Sequence, residues 1–385
     1  MMPMKRVQTK SEPNKMTVLT KWGIAIFCVL IPVWFLVNNY LVDISSSQQL
    51  PPSSHPISYK VAKQQLAHGK ALWRDKKYQQ SAQIFSSLRT KKLNADLQSL
   101  AGLYQYHTAA FNKNRNSDFM QQLSVLPDHC QQKLLFVTPD IDSLVQAEYF
   151  RSRFEQDSRL RSLPICIYDM TWFDPVDIVC EDNWQQSGRL GCQLLSLAEK
   201  LKRLPFTHLV MFAKKGKANV HNGIMFLDRQ DTYDVFIHEL AHFSGFIDEY
   251  PLSQSLAKRV CAGVDAPNVV FKKIDKLEAD RQYWQTIGLQ DNTDIFVART
   301  CDNHSTQAFK ASNQLTFMEY HDTGLIPEHY LIAWQRQLRK TPNLPSAHIN
   351  FAQLYEQSNN LSESQFWRAK HQQYILSYAN KVINL

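Results

Sequence analysis

No Cys-x-x-Cys pair occurs in the 385 residues. That absence argues against a thioredoxin-type redox site and against a zinc site built from paired cysteines. A Gly-rich phosphate loop is missing, as is a serine nucleophile elbow, so phosphoryl transfer and serine-hydrolase chemistry have no support. Low-complexity tracts and long tandem arrays are absent too. With 44% hydrophobic and 20% charged residues, wholly disordered, collagen-like and small disulfide-scaffold chains are excluded. Charge itself is missing from Trp22 to Val42, between Lys21 and Asp43.

That uncharged run is long enough to span a bilayer core as a helix, and Pro32 is tolerable within one. No small-residue cleavage site follows it, and the residues before Cys28 form no lipobox. An uncleaved signal anchor is therefore expected over residues 22–42. Lys5, Arg6, Lys10, Lys15 and Lys21 precede it, opposed only by Glu12. The positive-inside rule then puts the N-terminus in the cytoplasm and the remainder in the periplasm or another extracytoplasmic space.

The net charge of +8 is unevenly placed. Residues 1–21 carry +4, residues 43–59 carry −1, residues 60–117 carry +9 and residues 118–385 carry −4. The basic excess flanks the expected membrane segment, where anionic headgroups suit it better than nucleic acid does. No nucleic-acid partner is expected. Beyond Cys28 the cysteines are Cys130, Cys166, Cys180, Cys192, Cys261 and Cys301. An even number in an oxidising compartment implies three disulfides. Connectivity is open from sequence, and sequential pairing is preferred because it closes short loops.

The expected organisation is a cytoplasmic tail (1–21), an anchor (22–42), a Ser/Gln/Pro-rich linker (43–58), a helical segment (59–125), a main domain (126–340) and a C-terminal helical segment (341–385). Gly69, Leu72, Tyr78, Ser81, Phe85 and Leu88 fall at tetratricopeptide-like spacing. One such hairpin is too short for a solenoid, and an ordinary helical hairpin explains the pattern as well. From Lys133 onward, short apolar runs alternate with helical stretches, the texture of an α/β or α+β unit.

The chemistry concentrates in His238-Glu239-Leu240-Ala241-His242. On a helix, residues i and i+4 share a face, so two imidazoles can reach one zinc ion while Glu239 stands beside them as a base. Chance would place this pentapeptide about 0.014 times in such a chain. Asp231 or Thr232 would cap the helix. Gly245 follows where it must end sharply, in a conformation with positive φ, and Asp248 follows three residues later. The whole reads H-E-x-x-H-x-x-G-x-x-D.

This pattern resembles that of the metzincin zinc peptidases, whose motif usually ends in His, and is similar to the snapalysin-like members that use Asp. Glu249 and Tyr250 complete an Asp-Glu-Tyr similar to that of the IgA-peptidase-like family, which leaves Glu249 as a rival third ligand to Asp248. Downstream, Leu315 to Tyr320 resembles a Met-turn of the astacin and serralysin form. The resemblance implies Met318 as a floor beneath the metal and Tyr320 as a donor to the tetrahedral oxyanion.

It also implies an α+β, zincin-like catalytic domain with a mixed sheet, flanked by helical segments and carried on a single transmembrane helix. Residues 218–227 would supply the edge strand that pairs with substrate backbone. His221, Glu319, His321 and Asp322 are read as non-ligands, and Glu278 stays open as an alternative. The expected activity is a membrane-anchored zinc endopeptidase acting on a peptide or protein substrate. His238, His242 and Asp248 would hold Zn²⁺, and the helical segments would be candidate protein-partner surfaces. The competing reading is a non-catalytic, membrane-tethered binding scaffold with a degenerate zinc fold.

Overall fold

The computed structural model describes residues 53–56, 58–114, 125–169, 171–172, 178–272, 295–340 and 345–383. The anchor expected over residues 22–42, the tail before it, most of the linker and Glu278 lie outside the described residues. Contacts divide the chain into two units, residues 1–68 with 83–105 and residues 69–82 with 106–385.

The early part of the described chain holds three helices: α1 (Tyr59–Arg74), α2 (Tyr78–Arg89) and α3 (Ala95–Asn114). In the first unit a short strand β1 (Ser53–Pro56) runs parallel to β2 (Lys91–Lys92). Phe85 stacks on Tyr104 with centroids 5.0 Å apart. In the second unit the Ser81 hydroxyl donates to the Gly69 carbonyl at 2.8 Å, and Trp73 meets Tyr78 edge to face.

The core of the second unit is a sheet of β3 (Gln132–Thr138), β4 (Ile165–Ile167), β5 (Thr171–Trp172), β8 (His208–Phe212), β9 (Asn219–His221) and β10 (Ile224–Leu227). Its order is β4-β3-β8-β10-β9, with β5 also paired to β3. β4, β5 and β8 run parallel to β3, and β10 runs parallel to β8. β9 is an antiparallel edge. All of β8 and β10 is buried, because helices cover both faces. On one face Leu134, Phe136, Val210, Phe212, Met225 and Leu227 pack with α4 (Ile141–Gln156), α6 (Tyr233–His242) and α8 (Glu328–Lys340). On the other, Leu135, Val137, Leu209, Met211, Ile224 and Phe226 pack with α5 (Leu195–Leu201), α9 (His348–Gln357) and α10 (Leu361–Ile383).

This arrangement corrects the expected class. Strands alternate with helices in the chain, and those helices sandwich a largely parallel sheet, so the unit is α/β where α+β was expected. The C-terminal helices, expected as a flanking segment, contribute Phe351, Ala352 and Trp367 to the covering layer. No helix among the described residues is long and apolar enough to cross a membrane.

Three disulfides link Cys130 to Cys166, Cys180 to Cys192, and Cys261 to Cys301. They follow sequential pairing. The first joins the start of β3 to β4. The second closes a hairpin of β6 (Cys180–Glu181) and β7 (Gly191–Cys192). The third ties the end of α7 (Gln254–Val260) to a 3-10 turn, Arg299–Cys301. That turn adjoins a small antiparallel sheet of β11 (Val270–Lys272), β12 (Phe296–Ala298) and β13 (Gln307–Lys310).

Candidate metal centre

Helix α6 carries the His-Glu-x-x-His segment into the interior. The Thr232 hydroxyl caps it by accepting from the Val235 N–H. Every residue from Tyr233 to Ala241 except Asp234 is buried. The helix stops in a Schellman arrangement: Gly245 N–H donates to the His242 carbonyl and Phe246 N–H to the Ala241 carbonyl. Gly245 has φ 82°, a conformation a side chain resists. The reversal has two results. It returns the Phe246 carbonyl to His242, and it brings Asp248 back over both histidines.

His238 Nε2 lies 3.0 Å and His242 Nε2 3.2 Å from the same carboxylate oxygen, Asp248 Oδ1. The three ligand atoms lie within 4.8 Å of one another. The far side of each ring is fixed. His238 Nδ1 is 2.8 Å from the Phe317 carbonyl, and His242 Nδ1 is 2.8 Å from the Phe246 carbonyl. A carbonyl only accepts, so each Nδ1 must carry a hydrogen. In the neutral ring this leaves a lone pair on Nε2. Asp248 Oδ1 is buried without a hydrogen-bond donor. With both imidazoles neutral, three electron-pair donors converge, an arrangement a divalent cation would satisfy. The residues fit such an ion.

Electrostatics describe the same convergence. Burial lowers the His242 pKa, but the facing Asp248 outweighs it and lifts it to about 9. Burial raises the Asp248 pKa, and the facing charges of His242 and His238 hold it far below the ordinary carboxylate value. Glu239 is only 7% exposed; burial raises its pKa and the two histidines pull part of that back.

Asp248 and its neighbour Glu249 face opposite ways. Glu249 is fully buried and accepts from Asn268 Nδ2 at 3.0 Å, Tyr330 OH at 2.7 Å, Thr316 Oγ1 at 2.7 Å and Lys310 Nζ at 3.1 Å. Its backbone N–H also donates to the Met318 carbonyl. A carboxylate occupied by four side-chain donors has little left for a metal, so the geometry favours Asp248 over Glu249 as third ligand. Lys310 also binds Glu319, which joins the Asp-Glu-Tyr segment to the turn at 316–320.

Met318 is fully buried in the core with Phe317, Phe246 and Trp334. Tyr320 is 54% exposed; its hydroxyl engages Asp322 and its ring stacks on His321. Tyr250 is the tyrosine whose ring lies at the cluster, parallel to the His238 ring at 6.5 Å, and burial followed by the charge of Asp248 raises its pKa. His221 is an exposed residue on β9. A second grouping, His129 with Cys130 and Cys166, has both sulfurs committed to a disulfide. Sequence reasoning missed the two carbonyls that orient the histidines, the Tyr250 ring beside His238, and Lys310. The adjacency of Tyr250 to Asp248 was a visible signal. Lys310, in a short unremarkable strand, gave none.

Searches against protein-family models, curated proteins and solved structures found no match to this chain.

Proposed function

We propose that the chain is a zinc-dependent endopeptidase, with His238, His242 and Asp248 holding the metal and Glu239 acting as general base. The observation that carries this reading is the meeting of two Nε2 atoms and one carboxylate oxygen around a position beside a buried Glu. The motif's likeness to metzincin peptidases adds to it. A bound zinc ion would supply Lewis acidity to a substrate carbonyl and acidify a water molecule. Glu239 takes the proton from the attacking water and returns it to the leaving amine. The Tyr250 ring flanks His238. The outer edge of β9 offers backbone groups for pairing with an extended peptide. Tyr320 is the candidate oxyanion donor implied by the M-x-Y pattern, and Tyr320→Phe tests that role. Anchoring through residues 22–42, with the enzymatic portion extracytoplasmic, rests on the sequence.

The test is cleavage of a quenched-fluorescence peptide library by the zinc-loaded chain and by Glu239→Gln. Removing the base is expected to lower kcat/KM by about 10²–10⁴-fold while leaving zinc content unchanged. Equal activity in the variant would refute the assignment. Zinc binding with no cleavage of any peptide would instead favour the non-catalytic scaffold.

A further inference from the structure

Asp248 lies in a segment, residues 247–252, that has no helix or strand of its own. The backbone groups of such a segment must find their partners elsewhere, and those partners fix where the Asp248 carboxylate stands. Asn268 clasps Ile247: its Oδ1 accepts from the Ile247 N–H at 3.0 Å and its Nδ2 donates to the Ile247 carbonyl at 2.8 Å. Beyond Ile247 the grip comes largely from the 3-10 turn Arg299–Cys301 and its continuation. The Thr300 hydroxyl, on a fully buried side chain, donates to the Asp248 carbonyl at 2.8 Å. Arg299 N–H donates to the Glu249 carbonyl at 3.1 Å, and Leu252 N–H donates to the Thr300 carbonyl at 3.3 Å. Asn303 Nδ2 donates to the Leu252 carbonyl at 2.7 Å.

A three-residue 3-10 turn has little stability of its own. Here Cys301 is bonded to Cys261 at the end of α7, and both cysteines are buried in a small core with Leu252, Ala257 and Ala298. Helix α7 follows directly on residues 247–252, so the chain closes a circuit. It runs from Asp248 through α7 to Cys261, across the disulfide to Cys301, and back through Thr300 to the Asp248 carbonyl. The other two disulfides serve different parts of the unit, one joining β3 to β4 and one closing the β6–β7 hairpin. A carboxylate must come within about 2.0–2.2 Å of a zinc ion to ligate it, so the grip on this backbone decides whether Asp248 keeps its place opposite the two imidazoles.

We propose that Thr300 is a positioning residue for Asp248 and that the Cys261–Cys301 bridge acts through it, so that retention of the metal depends on this one disulfide. This rests on the metal centre of the peptidase reading and adds what holds its third ligand in place. Thr300→Val keeps the side-chain shape but removes the donor to a buried carbonyl, and Thr300→Ser restores that donor. The Cys130–Cys166 bridge is a matched comparison. Its sequence separation of 36 is close to the 40 of Cys261–Cys301, so opening either releases similar loop entropy in the unfolded chain. It bonds two strands of the main sheet, however, and not the turn that grips Asp248.

The experiment follows release of zinc from the loaded full chain to an excess of a chromophoric chelator. The visible absorption of the cobalt(II)-loaded chain is recorded beside it, because that spectrum reports ligand geometry and not global stability. Zinc release is expected to be at least about tenfold faster in Thr300→Val and in Cys261→Ser/Cys301→Ser, each with an altered cobalt spectrum. Thr300→Ser and Cys130→Ser/Cys166→Ser should keep the parent spectrum and a release rate close to the parent's. Unchanged release in Thr300→Val, or equal acceleration in Thr300→Val and Thr300→Ser, overturns the proposal. Equal acceleration in the two disulfide variants also overturns it, since lost stability alone would then explain the effect. Where Cys261→Ser/Cys301→Ser does not fold, the comparison of Thr300→Val with Thr300→Ser decides. Zinc uptake with these rate differences but no cleavage of any peptide would sink the peptidase reading alone. A chain that takes up no zinc would sink the metal centre and the role of Thr300 with it.

Discussion

Two consecutive carboxylates, Asp248 and Glu249, divide the work of the centre. Asp248 faces the imidazoles, while Glu249 turns inward to Lys310, Thr316, Asn268 and Tyr330. The inward network ties the ligand-bearing segment to the turn that orients His238. Lys310 is buried between Glu249 and Glu319, so Lys310→Met leaves two carboxylates without their cation. Breaking a buried pair from one side costs about 3–5 kcal/mol. Urea denaturation is expected to show that loss, whereas Lys215→Met, at an 80% exposed lysine paired with Asp182, should change little. Sequence could place His238, Glu239 and His242 because they lie within one helical turn. It placed Asp248 as the third ligand by motif spacing and left Glu249 as a rival. The choice is made by Lys310 and Tyr330, which lie 61 and 81 residues from Glu249.

At the scale of elements, the turn after α6 decides whether Asp248 reaches His238 and His242. Gly245→Ala would force a side chain into φ 82°. A loss of about 1–2 kcal/mol is expected in thermal or urea unfolding, with faster zinc loss to a chelator. Gly102 offers a contrast, since a Cβ there meets nothing within 4 Å. Gly102→Ala within α3 is expected to stabilise by about 0.5–1 kcal/mol. The Cys261–Cys301 bridge spans 40 residues. Its removal as Cys261→Ser/Cys301→Ser should cost roughly 4 kcal/mol on the chain-entropy model. The turn was legible because Gly at a helix end has one dominant use. The class was not. A short apolar run reads as a strand whichever neighbour it pairs with, and only pairing places β8 between β3 and β10 and buries both its faces.

For the whole molecule, acid is the expected weakness. His208, packed against Phe243 at the end of α6, and His348, against Phe206 and Trp367, are each pushed down to about 3 by burial. Both stay neutral in the fold, whereas in the unfolded chain they protonate near pH 6.5. Between those values the unfolded state binds more protons, so this contribution is complete above about pH 6.5 and is lost as pH falls toward 3. From about pH 7.5 to about pH 4.5 each histidine is expected to cost about 2–3 kcal/mol, visible as a falling urea midpoint. The charge distribution has its own reading at this scale: residues 118–385, which hold every residue of the centre, are net −4, while the basic excess lies earlier in the chain. The most direct test is the metal content of the purified full chain. One zinc ion per chain is expected, lost in His242→Ala and in Asp248→Ala but retained in Glu239→Gln. A chain that takes up no zinc, or that keeps one zinc per chain after His242→Ala, would contradict the metal centre and the peptidase reading built on it.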